Sequence, residues 1–127
     1  LQVDHIQYER VLSNQSTQVF GAVQGSKIVS MATLHLLPNL TPTRPIYGLI
    51  ENVVTLKAFQ NSGFGRAVVD HIIDTAWAAG AYKIMLLTGV QSDAKDFYLK
   101  CGFSSDSKHG MEIRRVPVRN SHRLNPP

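Results

Sequence analysis

Gln60-Asn61-Ser62-Gly63-Phe64-Gly65-Arg66-Ala67 follows directly on an apolar stretch ending near Leu56 and leads into a segment of helical periodicity. The placement matters more than the two glycines. A turn that runs into a helix N-terminus exposes several unpaired backbone amides at the positive end of the helix dipole, and such an arrangement suits an anion. A flexible turn that merely starts a helix is the plainer alternative for the glycines alone. No Gly-Lys-Ser/Thr ending follows, so nucleotide hydrolysis has no support. Position 68 is Val68, so the third glycine of a dinucleotide fingerprint is missing too.

Working outward, Ile46 to Leu56 reads as a strand buried on both faces, interrupted by Glu51 and Asn52. Downstream, Val69, Ile72, Ile73, Ala76 and Trp77 recur at helical spacing between Gly65 and Ala79, while Arg66, Asp70, Asp74 and Thr75 fall on another face. Gly80 is placed to end this helix in a left-handed conformation. Tyr82 to Thr88 then follows as a nearly continuous apolar strand. Strand, crossover helix and strand imply a parallel pair.

Upstream, Gln18–Gln24 and Lys27–Leu37 flank Gly25-Ser26 and predict a β-hairpin, and Ile6 to Leu12 reads weakly as a helix. The three prolines at 38, 42 and 45 require a loop. Past the second strand, Ser92 caps a helix whose Ala94, Phe97, Tyr98 and Cys101 share one face, closed by Gly102. Phe103 onward returns as strand, Met111 to Val116 is the last strand, and residues 117–127 form a mobile tail. The expected class is α/β (α+β): residues 1–116 as a single domain with a mixed sheet.

With 127 residues, 43% hydrophobic and 17% charged, the chain is long enough to bury a core without staples. Cys101 is the only cysteine, which excludes an intrachain disulfide and points to a reducing, cytoplasmic setting. No apolar run is long enough to span a membrane, and no signal sequence opens the chain. The net charge of +4 favours anions. Its late excess, Lys108, Arg114, Arg115, Arg119 and Arg123, has few aromatics to stack bases, so it reads as a solvated tail rather than a nucleic-acid site. The histidines at 5, 35, 71, 109 and 122 lack metal-ligand spacing, and no metal is expected. Cys101 has no His or Asp partner nearby in sequence to make it a nucleophile.

Gln60-Asn61-Ser62-Gly63-Phe64-Gly65 matches the Gln/Arg-x-x-Gly-x-Gly/Ala signature of the GNAT superfamily of N-acetyltransferases, and the chain resembles that family from about Val19 through Ile113. Ile50-Glu51-Asn52-Val53-Val54 and Phe97-Tyr98-Leu99-Lys100-Cys101-Gly102-Phe103 look most like its glucosamine-6-phosphate N-acetyltransferase branch. The resemblance implies a sheet splayed between its two parallel strands, helices on both faces, and acetyl-CoA as co-substrate. It further implies a small-molecule amine acceptor such as an amino-sugar phosphate, and a homodimer. In that pattern Val53, Val54 and Thr55 face the pantetheine arm, amides from Asn61 to Arg66, with Gln60, Ser62, Gly63, Phe64 and Gly65 in the loop, hold the pyrophosphate, and Phe97 joins the cofactor-binding set.

Two residues are candidates for the chemistry. Glu51, a carboxylate among apolar strand residues, is the candidate base, with a raised pKa and a water between it and the amine; a structural or edge carboxylate is the alternative. Tyr98 is the candidate acid for the coenzyme A thiolate, against a reading as one more core aromatic in its helix stripe. Two departures stand out. Ala94 occupies the position where similar enzymes often carry an asparagine, and only Leu1 to Leu12 precede the hairpin, where the family has a strand and one or two helices. A non-catalytic acyl-CoA sensor is the competing reading.

Overall fold

Residues 5–117 are described by a computed structural model. Gly25, at φ 62°, takes the left-handed conformation that a two-residue hairpin turn needs, and Gln24 pairs with Lys27 across it. The turn joins β1 (Thr17–Gln24) to β2 (Lys27–Pro38) in antiparallel register from Thr17↔His35 onward. A helix, α1 (His5–Ser13), precedes them and lies against β1.

Beyond the proline loop, β3 (Ile46–Thr55) pairs antiparallel with β2 along its length. On its other side it meets β4 (Ile84–Met85) in parallel, so the sheet order is β1-β2-β3-β4. The crossover is α2 (Phe64–Ala78), reached through a short 3-10 turn at Lys57–Phe59. The last helix is α3 (Ala94–Lys100), with the Ser92 hydroxyl accepting the Ala94 amide at 3.1 Å. Both α2 and α3 stop on a left-handed glycine, Gly80 at φ 89° and Gly102 at φ 98°. The following amides reach back across each terminus, Ala81 to the Ala76 carbonyl at 3.0 Å and Phe103 to that of Tyr98 at 3.1 Å.

The core lies between α2 and one face of the sheet. Ala32, Leu34 and Ile50 from the strands meet Val68, Ile72 and Ala76 from the helix, all nearly inaccessible to solvent. Val69 turns toward α3 and packs with Ala94 and Tyr98. Trp77 does not join this stripe; it is half exposed, because it sits one residue, about 100°, past Ala76 around the helix.

β3 matches its expected span to within one residue, while of the three strands expected after it one is shorter and two are absent among the described residues. β3 is not covered on both faces: Glu51, Asn52 and Val54 are exposed. Of the expected Tyr82–Thr88 strand only Ile84 and Met85 join the ladder, opposite Gly48 and Leu49, because β3 and the following chain then part. Phe103 and Met111–Val116 form no strand among the described residues. Met111 and Ile113 are exposed, and Arg114 pairs with Glu112 at 3.7 Å and donates to the Val116 carbonyl at 3.1 Å. Gly110 lies against the Leu87 side chain, yet no backbone hydrogen bonds join the two segments among the described residues, so the apolar alternation forms no ladder. The tail expected past Pro117 lies outside the described residues, as do Arg119, His122 and Arg123.

Candidate functional site

The site grows from a defect in β3. Thr33 pairs with Glu51 and Met31 with Val54, so one β2 residue, Ala32, faces two on β3, Asn52 and Val53. Asn52 absorbs the extra residue in the left-handed region at φ 56°, which asparagine tolerates better than most side chains. Beyond the bulge no strand among the described residues pairs with the side of β3 that carries β4 at Gly48 and Leu49. Leu56 donates to the Val29 carbonyl on the β2 side at 2.9 Å. Alternation therefore turns the main-chain groups of Val53 and Thr55 toward the open edge.

At the end of that edge the chain enters the glycine loop. The Gln60 side-chain amide donates to the Thr55 carbonyl at 3.2 Å and holds the loop to the strand, while the Ser62 hydroxyl donates to the Gln60 carbonyl at 3.3 Å within the loop itself. Asn61 (φ 58°) and Gly63 (φ 89°) are both left-handed, and alternation of handed residues makes successive amides converge into a concave nest. Gly63 caps α2 without a side-chain hydrogen bond. The first helical bond is from the Ala67 amide to the Gly63 carbonyl at 3.0 Å. The amides from Asn61 to Arg66 thus have no protein acceptor among the described residues. A Cβ on Gly63 would meet nothing within 4 Å, which shows the space in front of the loop to be open.

A cleft of about 240 Å³ occupies that space, lined by Thr55, Asn61, Gly63, Gly65, Arg66 and Phe97, together with Phe59 and Lys100. The structure therefore brings together six of the expected cofactor residues from three separate elements. Phe64 packs in a T-shaped contact with Phe59, ring centroids 6.0 Å apart, and so ties the start of α2 to the turn before the loop. Val53 is half-buried against both α2 and α3, whereas Val54 is exposed, its carbonyl accepting the Ser30 hydroxyl at 3.2 Å. Thr55 is buried and shares a hydroxyl contact of 2.8 Å with Ser30. A wider depression of about 430 Å³ along α1 is lined, among the described residues, by that helix and by none from the loop or the strands.

Neither chemical candidate lines this cleft. Tyr98 is buried between Phe97 and Phe103, with ring centroids at 5.1 and 6.0 Å. Its hydroxyl makes no hydrogen bond to protein, yet no buried side-chain polar atom is left unpartnered among the described residues, so the hydroxyl reaches solvent. Burial, with a smaller contribution from Cys101, pushes the phenol up to about 12. Glu51 sits just before the bulge, across from Thr33. It points away from the face that Ile50 buries, and it is exposed, so the apolar enclosure expected around it is not there.

Lys100 and Phe59 were not among the expected residues. Lys100 follows Phe97 by three and shares its helix face, a spacing that signals it; Phe59 comes from a turn and carries no such signal. Burial also pushes the Cys101 thiol up, with Arg66 opposing and Asp70 adding. Arg44 stacks over Tyr82 at 5.4 Å, away from the loop, and His71 sets its ring against Phe20 at 5.3 Å. Among the described residues no three His, Cys, Asp or Glu cluster as for a metal, and no helix is long and apolar enough to cross a membrane.

Comparison with known proteins agrees with this geometry. The chain is 29% identical over 92 residues to a glucosamine 6-phosphate N-acetyltransferase of Trypanosoma brucei brucei, covering 72% of this chain and 61% of that protein's length. A solved structure from Agrobacterium tumefaciens str. C58, described as a candidate acetyltransferase, superposes with a TM-score of 0.83 at 42% identity, over 91% of this chain and 81% of that one. A transcriptional regulator from Bacillus halodurans C-125 does so with a TM-score of 0.79 at 28% identity, over 86% and 73%. The Acetyltransferase (GNAT) family profile matches residues 2–103, and with the nest at the α2 N-terminus and the opened edge of β3 in place, the chain belongs to the GNAT family.

Proposed function

We propose that this chain is an N-acetyltransferase that moves an acetyl group directly from acetyl-CoA to a primary amine of a small molecule, in a reducing, cytoplasmic setting. The observation that carries the reading is the set of amides from Asn61 to Arg66, left without protein acceptors and converging on an open cleft. Acetyl-CoA, when bound, supplies the activated acetyl as a thioester. The chain holds the diphosphate on the nest, aligns the pantetheine arm along the main chain of Val53–Thr55, and offers edge amides to the polarised carbonyl.

As the amine nitrogen bonds to the acetyl carbon, the carbon–sulfur bond breaks and the amine gives up a proton. Glu51, open to solvent, takes it through water. Tyr98 stays protonated throughout the neutral range and steadies the departing sulfur by hydrogen bonding. A phenol near 12 is a weaker acid than an ordinary thiol at about 8.5, so full transfer of its proton is uphill and coenzyme A leaves as a hydrogen-bonded thiolate. No covalent relay is needed, since the Cys101 thiol is held in its protonated form.

The similarity to the trypanosome enzyme makes glucosamine 6-phosphate the first acceptor to try. Purified protein should release thiol from acetyl-CoA only when an amine is added. A native mass measurement should show retained coenzyme A and a homodimer. Binding of CoA without turnover over a broad amine panel would instead favour an acyl-CoA sensor. That second reading draws on Ala94 in place of a polar residue and on the similarity to the Bacillus regulator. Absence of CoA binding would remove both.

A further inference from the structure

The cleft has two cationic side chains in its lining, and they are not equivalent. Arg66 on the first turn of α2 directs its Nε at both oxygens of Asp70, at 3.0 and 3.1 Å, so its charge is largely offset one helical turn away. Lys100, the last residue of α3, lines the cleft with Phe97 of the same helix and has no ion-pair partner among the described residues. Among the described residues no carboxylate lines the cleft. An ammonium on a four-carbon stem can follow a phosphate through several geometries, whereas a guanidinium already held by a carboxylate must first let go.

We propose that Lys100, rather than Arg66, supplies the side-chain charge that binds the phosphates of the cofactor, while Arg66 contributes its main-chain amide. This rests on the acyltransferase reading and adds a specific ligand to it. Lys100 lines the same cleft as Asn61, Gly63 and Gly65 at the α2 N-terminus, so an anion held there is met by main-chain amides and by an ammonium. Its contribution is electrostatic and weakens with salt.

Calorimetric titration of the purified chain with CoA and with S-acetylpantetheine, which lacks the phosphates, tests the assignment. Lys100→Ala should lower CoA affinity about tenfold at low salt, as for a charge-assisted contact open to water. It should leave S-acetylpantetheine binding unchanged, and Lys100→Arg should restore most of the loss. Lys95→Ala removes the same charge from α3 outside the cleft and should change neither affinity. The assignment of Lys100 is overturned if wild-type protein binds CoA and Lys100→Ala binds it equally well. It is overturned too if the loss extends equally to S-acetylpantetheine, or if Arg66→Ala loses more than Lys100→Ala. Wild-type protein that binds no CoA overturns the acyltransferase reading itself.

Discussion

The two edges of β3 have opposite fates. Toward β2 it pairs from Ile46 to Thr55 and its Ile50 is sealed against Leu34 and Ile72; toward β4 it pairs at two residues and then stands open. The same ten residues form scaffold on one side and an open edge on the other. What separates them is one extra residue, Asn52, at which the ladder to β2 absorbs a kink while the other side has no partner to restrain it. Rigidity on the closed edge is what lets the open one keep its main-chain groups oriented.

The largest expected effect tests whether the closed side is only scaffold. Ile72 is completely buried where α2 crosses the sheet, so Ile72→Ala should cost about 2–5 kcal/mol in chemical denaturation. Below the unfolding transition, CoA affinity should stay within about twofold of wild type, as for sites without shared partners. An affinity that falls in step with stability would merge the two edges into one cooperative unit and break the comparison.

Much of the closed side is legible in the chain. Gly25-Ser26 specifies the hairpin by turn chemistry, and the α2 core stripe follows from a 3.6-residue period, Trp77 excepted because one step of 100° separates core from solvent. The open side is less so, because its strands depend on neighbours rather than on local pattern. Tyr82–Thr88 and Met111–Val116 have strand composition, yet a strand needs an edge, and β3 withdraws its own after Leu49. The loop was readable because glycines at a strand-to-helix junction have a local physical consequence. The exposure of Glu51 was not, since apolar sequence neighbours say nothing about what covers the face to which a side chain points.

Next in size is Tyr98→Phe, which probes the open side chemically. Loss of the hydrogen bond to the departing sulfur should lower kcat about 10²-fold with little change in the KM for acetyl-CoA. Linkage gives a second readout. The folded phenol sits near 12, above its ordinary value of 10.0, so the folded state holds this proton more tightly than the unfolded state. The resulting stability is fully present below pH 10 and is lost as pH rises toward about 12. Tyr98→Phe should flatten that alkaline decline in denaturation experiments; an unaltered decline would mean that the phenol is not what titrates.

Gly63→Val comes third. At φ 89° a β-branched side chain is strained, and the space a Cβ would enter is open, so the cost falls on the nest rather than on packing. CoA affinity should drop about tenfold or more, against a stability loss of about 1–3 kcal/mol. Titration at a temperature where the variant is fully folded separates the two. Retained affinity would show that the amides keep their convergence without the left-handed glycine, and the open edge would then owe less to the loop than its geometry suggests.

The smallest effect discriminates most finely between the two roles of α2, helix and anion site. Asp70 and Arg66 form an exposed i,i+4 pair at 3.0 Å, with both side chains about half accessible, so Asp70→Asn should cost only about 0.3–0.5 kcal/mol of stability. At the cleft the sign reverses. Removing the carboxylate frees the Arg66 guanidinium beside a site read as cationic, so CoA should bind somewhat more tightly at low salt and lose that gain as salt is raised. A variant less stable yet better at binding would separate the needs of the helix from those of the ligand on a single turn. Weaker binding would mean that Asp70 holds Arg66 in a position the cofactor uses, and the guanidinium would then belong to the open edge after all.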